Sequence, residues 1–93
     1  MSSKKYKIQI TKKANKFLES DNNLQRFKES IKKLIEYFED AESTPKPDIK
    51  KLKGRFSGTF RLRTGDYRIL FRISDKSIFI IDILPRGQVY KKK

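Results

Sequence analysis

Thr59-Phe60-Arg61-Leu62-Arg63-Thr64-Gly65-Asp66-Tyr67-Arg68-Ile69-Leu70-Phe71-Arg72-Ile73-Ser74 reads as two strands folded back on each other. Runs rich in β-branched and aromatic residues flank Gly65-Asp66, so Thr59 to Thr64 should pair antiparallel with Tyr67 to Ser74. The order Gly-Asp points to a different turn type from Asn-Gly. With those two residues as the loop, Thr64 faces Tyr67, Arg63 faces Arg68 and Phe60 faces Phe71. Alternation then sorts the hairpin into two faces. Phe60, Leu62, Tyr67, Ile69, Phe71 and Ile73 form the side to be buried. Arg61, Arg63, Arg68 and Arg72, with Leu70 among them, form the other.

Downstream, Ser77 to Leu84 returns after a second tight turn at Asp75-Lys76. An even loop would place Ile78, Ile80 and Asp82 on the core side. An odd loop would place Phe79, Ile81 and Ile83 there and set Asp82 against Arg68. The odd loop is preferred because it keeps a carboxylate out of the core. Upstream, Tyr6, Ile8 and Ile10 alternate with Lys7 and Gln9, the pattern of a half-buried strand. Thr11 suits a helix N-cap, and Ala14, Phe17 and Leu18 give a short first helix its inner side. Asp21, Asn22 and Asn23 break that helix. A second runs from about Asn23 to Asp40, where Leu24, Phe27, Ile31, Leu34, Ile35 and Phe38 recur at steps of three and four. From Glu42 to Asp48, Pro45 and Pro47 enforce an extended linker, and Gly54 invites a turn after Lys50-Lys51-Leu52-Lys53. The fold class is therefore α+β. A small antiparallel sheet, the N-terminal strand plus a three-stranded C-terminal meander, packs on two N-terminal helices. Residues 1–93 form one domain, with 1–5 and 91–93 as frayed tails.

Composition narrows the chemistry. The chain has no Cys and no His, which removes disulfides, zinc sites of the usual kind and imidazole acid–base catalysis. Neither a metal nor another cofactor is expected. No apolar run reaches the roughly 20 residues of a membrane span, and Met1 to Lys5 lacks the apolar stretch of a signal peptide, so the chain is read as cytoplasmic and not membrane-bound. The 24 Lys and Arg against 11 Asp and Glu give a formal charge of +13. A surface this basic draws polyanions at long range, with a steep dependence on salt.

Like charges directly across a strand pair cost tenths of a kcal/mol up to about one. A purely structural design would have placed Glu or Thr among Arg61, Arg63, Arg68 and Arg72. Their concentration on one face points to an anionic ligand, and guanidinium groups suit bidentate phosphate contacts. Arg86 leaves the last strand near that face, and Tyr90 can bring a ring to it.

Three segments together carry a resemblance to a known family: Lys51-Leu52-Lys53-Gly54, Phe60 to Ile73, and Arg86-Gly87-Gln88-Val89-Tyr90-Lys91. The chain from about Tyr6 to Lys91 resembles the RelE/ParE superfamily of type II toxin–antitoxin toxins, on the RelE side. The resemblance implies a toxin that enters the ribosomal A site and cuts mRNA, the substrate's own 2′-hydroxyl attacking the adjacent phosphate. By matching positions it implies catalytic roles for Arg61, Arg63, Arg68, Arg86 and Tyr90. Arg61, Arg68 and Arg86 would clamp phosphate, Arg86 also assisting the leaving oxygen, and Tyr90 would stack on or orient a base. Lys51, Lys53, Arg72 and Lys91 flank this set as RNA-binding candidates.

Two departures from the family pattern stand out. Arg61 and Arg63 replace lysines found in some RelE members, and an arginine does not give up its proton, which leaves Tyr90 and Lys53 as candidates for the general base. Pro85 stands where many relatives have a His or a basic residue. The implied partners are mRNA, the rRNA of the A site, and an antitoxin whose toxin-binding segment is acidic and lies along the sheet or displaces the tail at Tyr90. Two other functions remain compatible: a ParE-like toxin that inhibits DNA gyrase without RNA chemistry, and a non-catalytic RNA- or ribosome-binding relative.

Overall fold

The computed structural model describes residues 5–20 and 23–85. Its centre is the hairpin of β3 (Phe60–Thr64) and β4 (Tyr67–Ser74), paired in the expected register with Thr64 opposite Tyr67 and Phe60 opposite Phe71. Gly65 has φ +61° and Asp66 a negative φ, which is the signature of a type II′ turn. The next turn is of the other primed type: Asp75 and Lys76 both have positive φ, 53° and 62°, and connect β4 to β5 (Ser77–Pro85).

Two further strands complete a five-stranded sheet. β1 (Lys7–Ile10) runs parallel to β5 at one edge, and β2 (Ile49–Lys51) pairs antiparallel with β3 at the other, in the order β1-β5-β4-β3-β2. The short β2 adds one strand to the predicted meander. It forms where the linker leaves Pro47 already extended, and three residues suffice to pair with β3.

Both helices cover one face. α1 (Lys12–Glu19) starts at Thr11, whose Oγ1 accepts from the Ala14 amide at 3.2 Å, as an N-cap should. α2 (Asn23–Glu39) buries Phe27, Ile31 and Leu34 against Leu62, Ile69, Phe71, Ile78, Ile80 and Ile83. Each fully buried side chain of this size is worth about 1.5–3 kcal/mol over its exposed state. Rings dominate the contacts: Phe71 stacks on Phe60 at 5.5 Å, and Phe27 meets Tyr67 edge-on at 5.1 Å. Polar ties hold α2 to the rest of the chain, with the Tyr6 amide donating to Glu39 Oε2 at its C-terminal end at 2.8 Å and, midway along it, Ser30 Oγ 2.6 Å from Thr64 Oγ1. Leu24, expected on the inner stripe of α2, is instead 53% exposed. It sits in the first turn and lines a shallow cavity with Ile10 and Leu18.

The register of β5 combines both alternatives. The two-residue turn sends Ile78 and Ile80 into the core, as an even loop requires. A bulge then intervenes: Phe71 pairs with Ile80 but Leu70 pairs with Asp82, so Ile81 is the extra residue and the alternation inverts beyond it. Ile83 is buried in consequence, and Asp82 leaves the core opposite Leu70, not opposite Arg68 as the odd loop required. Thr11 serves the bulge directly, its Oγ1 donating to the Ile81 carbonyl at 2.7 Å. The Asp82 carboxylate accepts from the Ile83 amide at 2.9 Å and pairs with Lys13 Nζ at 3.1 Å.

Candidate nucleic-acid interface

The face of the sheet opposite the helices is built in cross-strand rows. One row runs Lys50, Arg61, Leu70, Asp82 across β2, β3, β4 and β5. The neighbouring row places Arg63 directly opposite Arg68, with Leu84 beyond. On the other side of the first row lies Arg72, opposite Phe79. Three arginines and a lysine thus gather on two adjacent rows, with Arg72 one row further.

Apolar residues support them. Leu52 and Leu70 are buried together, and Phe56, Ile81 and Leu84 pack around the pair. The loop between β2 and β3 forms this lid: Leu52 N donates to Thr59 O at 2.9 Å, and a 3-10 turn at Gly54–Phe56 brings Phe56 in. Gly58, at φ +88°, closes the loop against Arg72, and a methyl group there would lie 2.9 Å from Arg72 Nη2. A side chain would therefore be strained on the backbone and would push aside the end of the exposed Arg72 side chain.

Exposure grades the cations. Arg63, Arg72 and Lys50 are exposed, Arg68 is half-buried with Nε and Nη1 shielded from solvent, and Arg61 is only 8% exposed. Asp48 Oδ1 lies 3.7 Å from Arg61 Nη1, within ion-pair reach but too far for a hydrogen bond. That Nη1 is buried and has no hydrogen-bond partner among the described residues. Leaving a buried donor unmade costs about 1–3 kcal/mol, more for a charged group. The arrangement is suited to receiving anionic oxygen atoms over an apolar floor.

A family model described as the ParE toxin of a type II toxin–antitoxin system, parDE, matches residues 8–90. The chain belongs to the RelE/ParE toxin superfamily. Among solved structures, the toxin is similar to an archaeal RelE–RelB complex from Pyrococcus horikoshii, with 32% identity and a TM-score of 0.65 over 89% of this chain and 97% of the other. A RelB–RelE antitoxin–toxin complex from Methanococcus jannaschii shares 29% identity at a TM-score of 0.62, covering 88% and 94%. A YoeB–YefM complex from Staphylococcus aureus, at 18% identity, 86% and 95% coverage and a TM-score of 0.65, shares the fold. No curated protein sequence gives a significant match.

The toxin brings Arg61, Arg63 and Arg68 together, and Arg72 beside them, as strand alternation predicts. Arg61 differs from expectation in being part of the floor, because it lies on an inner strand between Lys50 and Leu70. Lys51 is opposite Phe60 and so belongs to the helix side of the edge strand, while Lys53 is exposed in the loop. Arg86, Tyr90 and Lys91 lie outside the described residues. Sequence reasoning missed Lys50, which has the parity of Arg61, and the Leu52–Leu70 cluster. Recognising β2 would have found both, but a three-residue strand of Ile-Lys-Lys after two prolines carries almost no periodic signal. Among the described residues no helix is long and apolar enough to cross a membrane, and no group of three or more Cys, His, Asp or Glu is placed to hold a metal ion.

Proposed function

We propose that this toxin is a ribosome-dependent mRNA endoribonuclease that arrests translation. The observation that supports the reading best is the arginine row pair: Arg63 against Arg68, beside a buried Arg61 with an unmade donor. Such a surface favours the phosphorane-like transition state, whose added negative charge it meets with donors fixed in place before reaction. The 2′-hydroxyl loses its proton and attacks the adjacent phosphorus, the bond to the 5′-oxygen breaks, and that oxygen takes up a proton. Arg61 and Arg68 clamp the non-bridging oxygens and Arg63 holds a flanking phosphate. Arg86 assists the leaving oxygen, and Tyr90 stacks on a base. Lys53, Arg72 and Lys91 add backbone contacts. The general base is Tyr90 or Lys53.

The relatives from Pyrococcus horikoshii and Methanococcus jannaschii were crystallised with RelB, called an antitoxin in the second case. This chain, at +13, is expected to be restrained by an acidic segment of its own antitoxin. A second reading has one observation in its favour, the ParE description of the family model: a toxin that acts on DNA gyrase by protein contact. A translation extract programmed with a defined mRNA separates the two. Codon-phased cuts that disappear with Arg61→Ala and Arg86→Ala support the nuclease; gyrase poisoning with intact mRNA supports the alternative. Salt-sensitive ribosome binding with neither effect would leave a non-catalytic relative.

A further inference from the structure

Arg61 is the one buried charged residue among those described. A buried cation with an unmade donor is costly unless something completes it. The carboxylate nearest to it, Asp48, completes it only in part: the two are 3.7 Å apart, and the Asp48 side chain is 56% exposed. The backbone of Asp48 is nevertheless fixed. Its carbonyl accepts from the Arg63 amide at 3.0 Å, and the adjacent Ile49 amide donates to Pro47 O at 2.8 Å. The side chain is therefore delivered to Arg61 by a held backbone while keeping one side in water. The other carboxylate of this face, Asp82, is engaged by Lys13 and by its neighbour's amide.

We propose that Asp48 is an internal counter-anion for Arg61, displaced by a backbone phosphate of the RNA, and that it sets how tightly the toxin holds that phosphate. The inference rests on reading this face as an RNA site. A phosphate oxygen can make the hydrogen bonds to the guanidinium that Asp48, at its distance, does not make. Asp48 then swings into solvent without disturbing β2, and part of the interaction energy of each phosphate goes into releasing it. The carboxylate acts as a brake on RNA binding within the same face that performs it.

The test is binding of the full chain to a short 2′-O-methyl oligoribonucleotide, which keeps the phosphates and blocks the attacking hydroxyl, across a salt series. Asp48→Asn should bind roughly tenfold more tightly at low salt, since no carboxylate then has to be released from Arg61 before the phosphate can take its place. Its log–log salt slope should be little changed, because the same phosphate reaches Arg61 in both proteins. Asp48→Glu keeps the charge and should match the wild type, while Asp48→Ser should repeat the Asn result if that variant folds poorly. In an Arg61→Gln background Asp48→Asn should bring no gain. Unchanged or weaker binding by Asp48→Asn and Asp48→Ser, or a gain that persists without Arg61, overturns the proposal. If Arg61→Gln alters neither affinity nor slope in either background, the RNA reading of the face falls with it.

Discussion

Ile69 and Leu70 are adjacent in β4, yet they belong to different parts of the molecule. Ile69 is fully buried under the helices, in one apolar cluster with Phe27, Leu34, Phe71 and Ile80. Leu70 is also buried, but its company is Leu52, Phe56, Ile81 and Leu84, with Arg61 on one side and Asp82 on the other. The first face excludes charge and is completed by the chain itself. The second keeps a small apolar floor and surrounds it with guanidinium groups that repel one another. Stability is concentrated on one side of the sheet, and the cations that cost stability are concentrated on the other.

Truncating each neighbour puts that contrast to the largest test. Ile69→Ala should cost about 4 kcal/mol, within the range for large-to-small changes in a core that cannot collapse. Leu70→Ala should cost about 2 kcal/mol, because its satellite cluster lies near the surface and the loop above it can settle. Urea unfolding measures both. Equal costs would mean that the loop-covered floor is as tightly built as the helix layer, and the division of labour would be lost.

Arg61 offers a sharper test, since stability and activity should move in opposite directions. Replacing a buried, incompletely paired charge by an apolar side chain of similar volume is often neutral or stabilising. Arg61→Met should therefore leave the unfolding free energy unchanged or raise it by about 1 kcal/mol. mRNA cleavage in a translation extract should fall by roughly 10²–10³, the usual loss for one transition-state donor. A variant that loses several kcal/mol of stability would show that Arg61 is a structural ion pair with Asp48, and the functional reading of this row would lose its centre.

The same contrast explains what the sequence could reveal. The helix-covered face was legible because burial on one side forces strict alternation: from Phe60 to Ile73 a hydrophobe stands at every inward position except Thr64 beside the turn, so register and face followed together. The arginine set was legible as the other half of the same alternation. Three features were not. The bulge at Ile81 is invisible in a run where Ile78, Phe79, Ile80, Ile81 and Ile83 would fit either parity, and only the need to place Asp82 outside the core hints at it. β2 is too short to show a period. The depth of Arg61 follows from its place on an inner strand between Lys50 and Leu70, which depends on the pairing of β2 that no local pattern encodes.

Arg63 separates contact from architecture on the functional face. It is exposed and stands opposite Arg68, so Arg63→Ala removes a like-charge pair as well as the proposed phosphate contact. Thermal unfolding should change by less than about 0.5 kcal/mol, toward greater stability if at all. Binding to the 2′-O-methyl oligonucleotide should weaken several-fold, with a salt slope shallower by about 0.7. A loss of affinity with no change in slope would indicate that Arg63 acts through the shape of the sheet and not through its charge.

The smallest expected effect lies at the end of β4 away from the arginine pair. Lys76 occupies the second position of a type I′ turn at φ +62°, a conformation that costs a residue with a Cβ roughly 1–2 kcal/mol. Glycine removes that cost but gives back part of the gain through the greater freedom of the unfolded chain. Lys76→Gly, which creates the favoured Asp-Gly pair, should therefore stabilise by about 0.5–1 kcal/mol. For a domain of this size that raises the melting temperature by roughly 2–8 °C. The turn lies beyond Ile73, which is opposite Ile78 in the helix-covered layer, and five residues along β4 from Leu70. RNA affinity at fixed ionic strength should then fall only by what one distant surface charge contributes. A large loss of binding with the expected gain in melting temperature would extend the nucleic-acid surface to this turn and move the boundary between the two halves of the sheet.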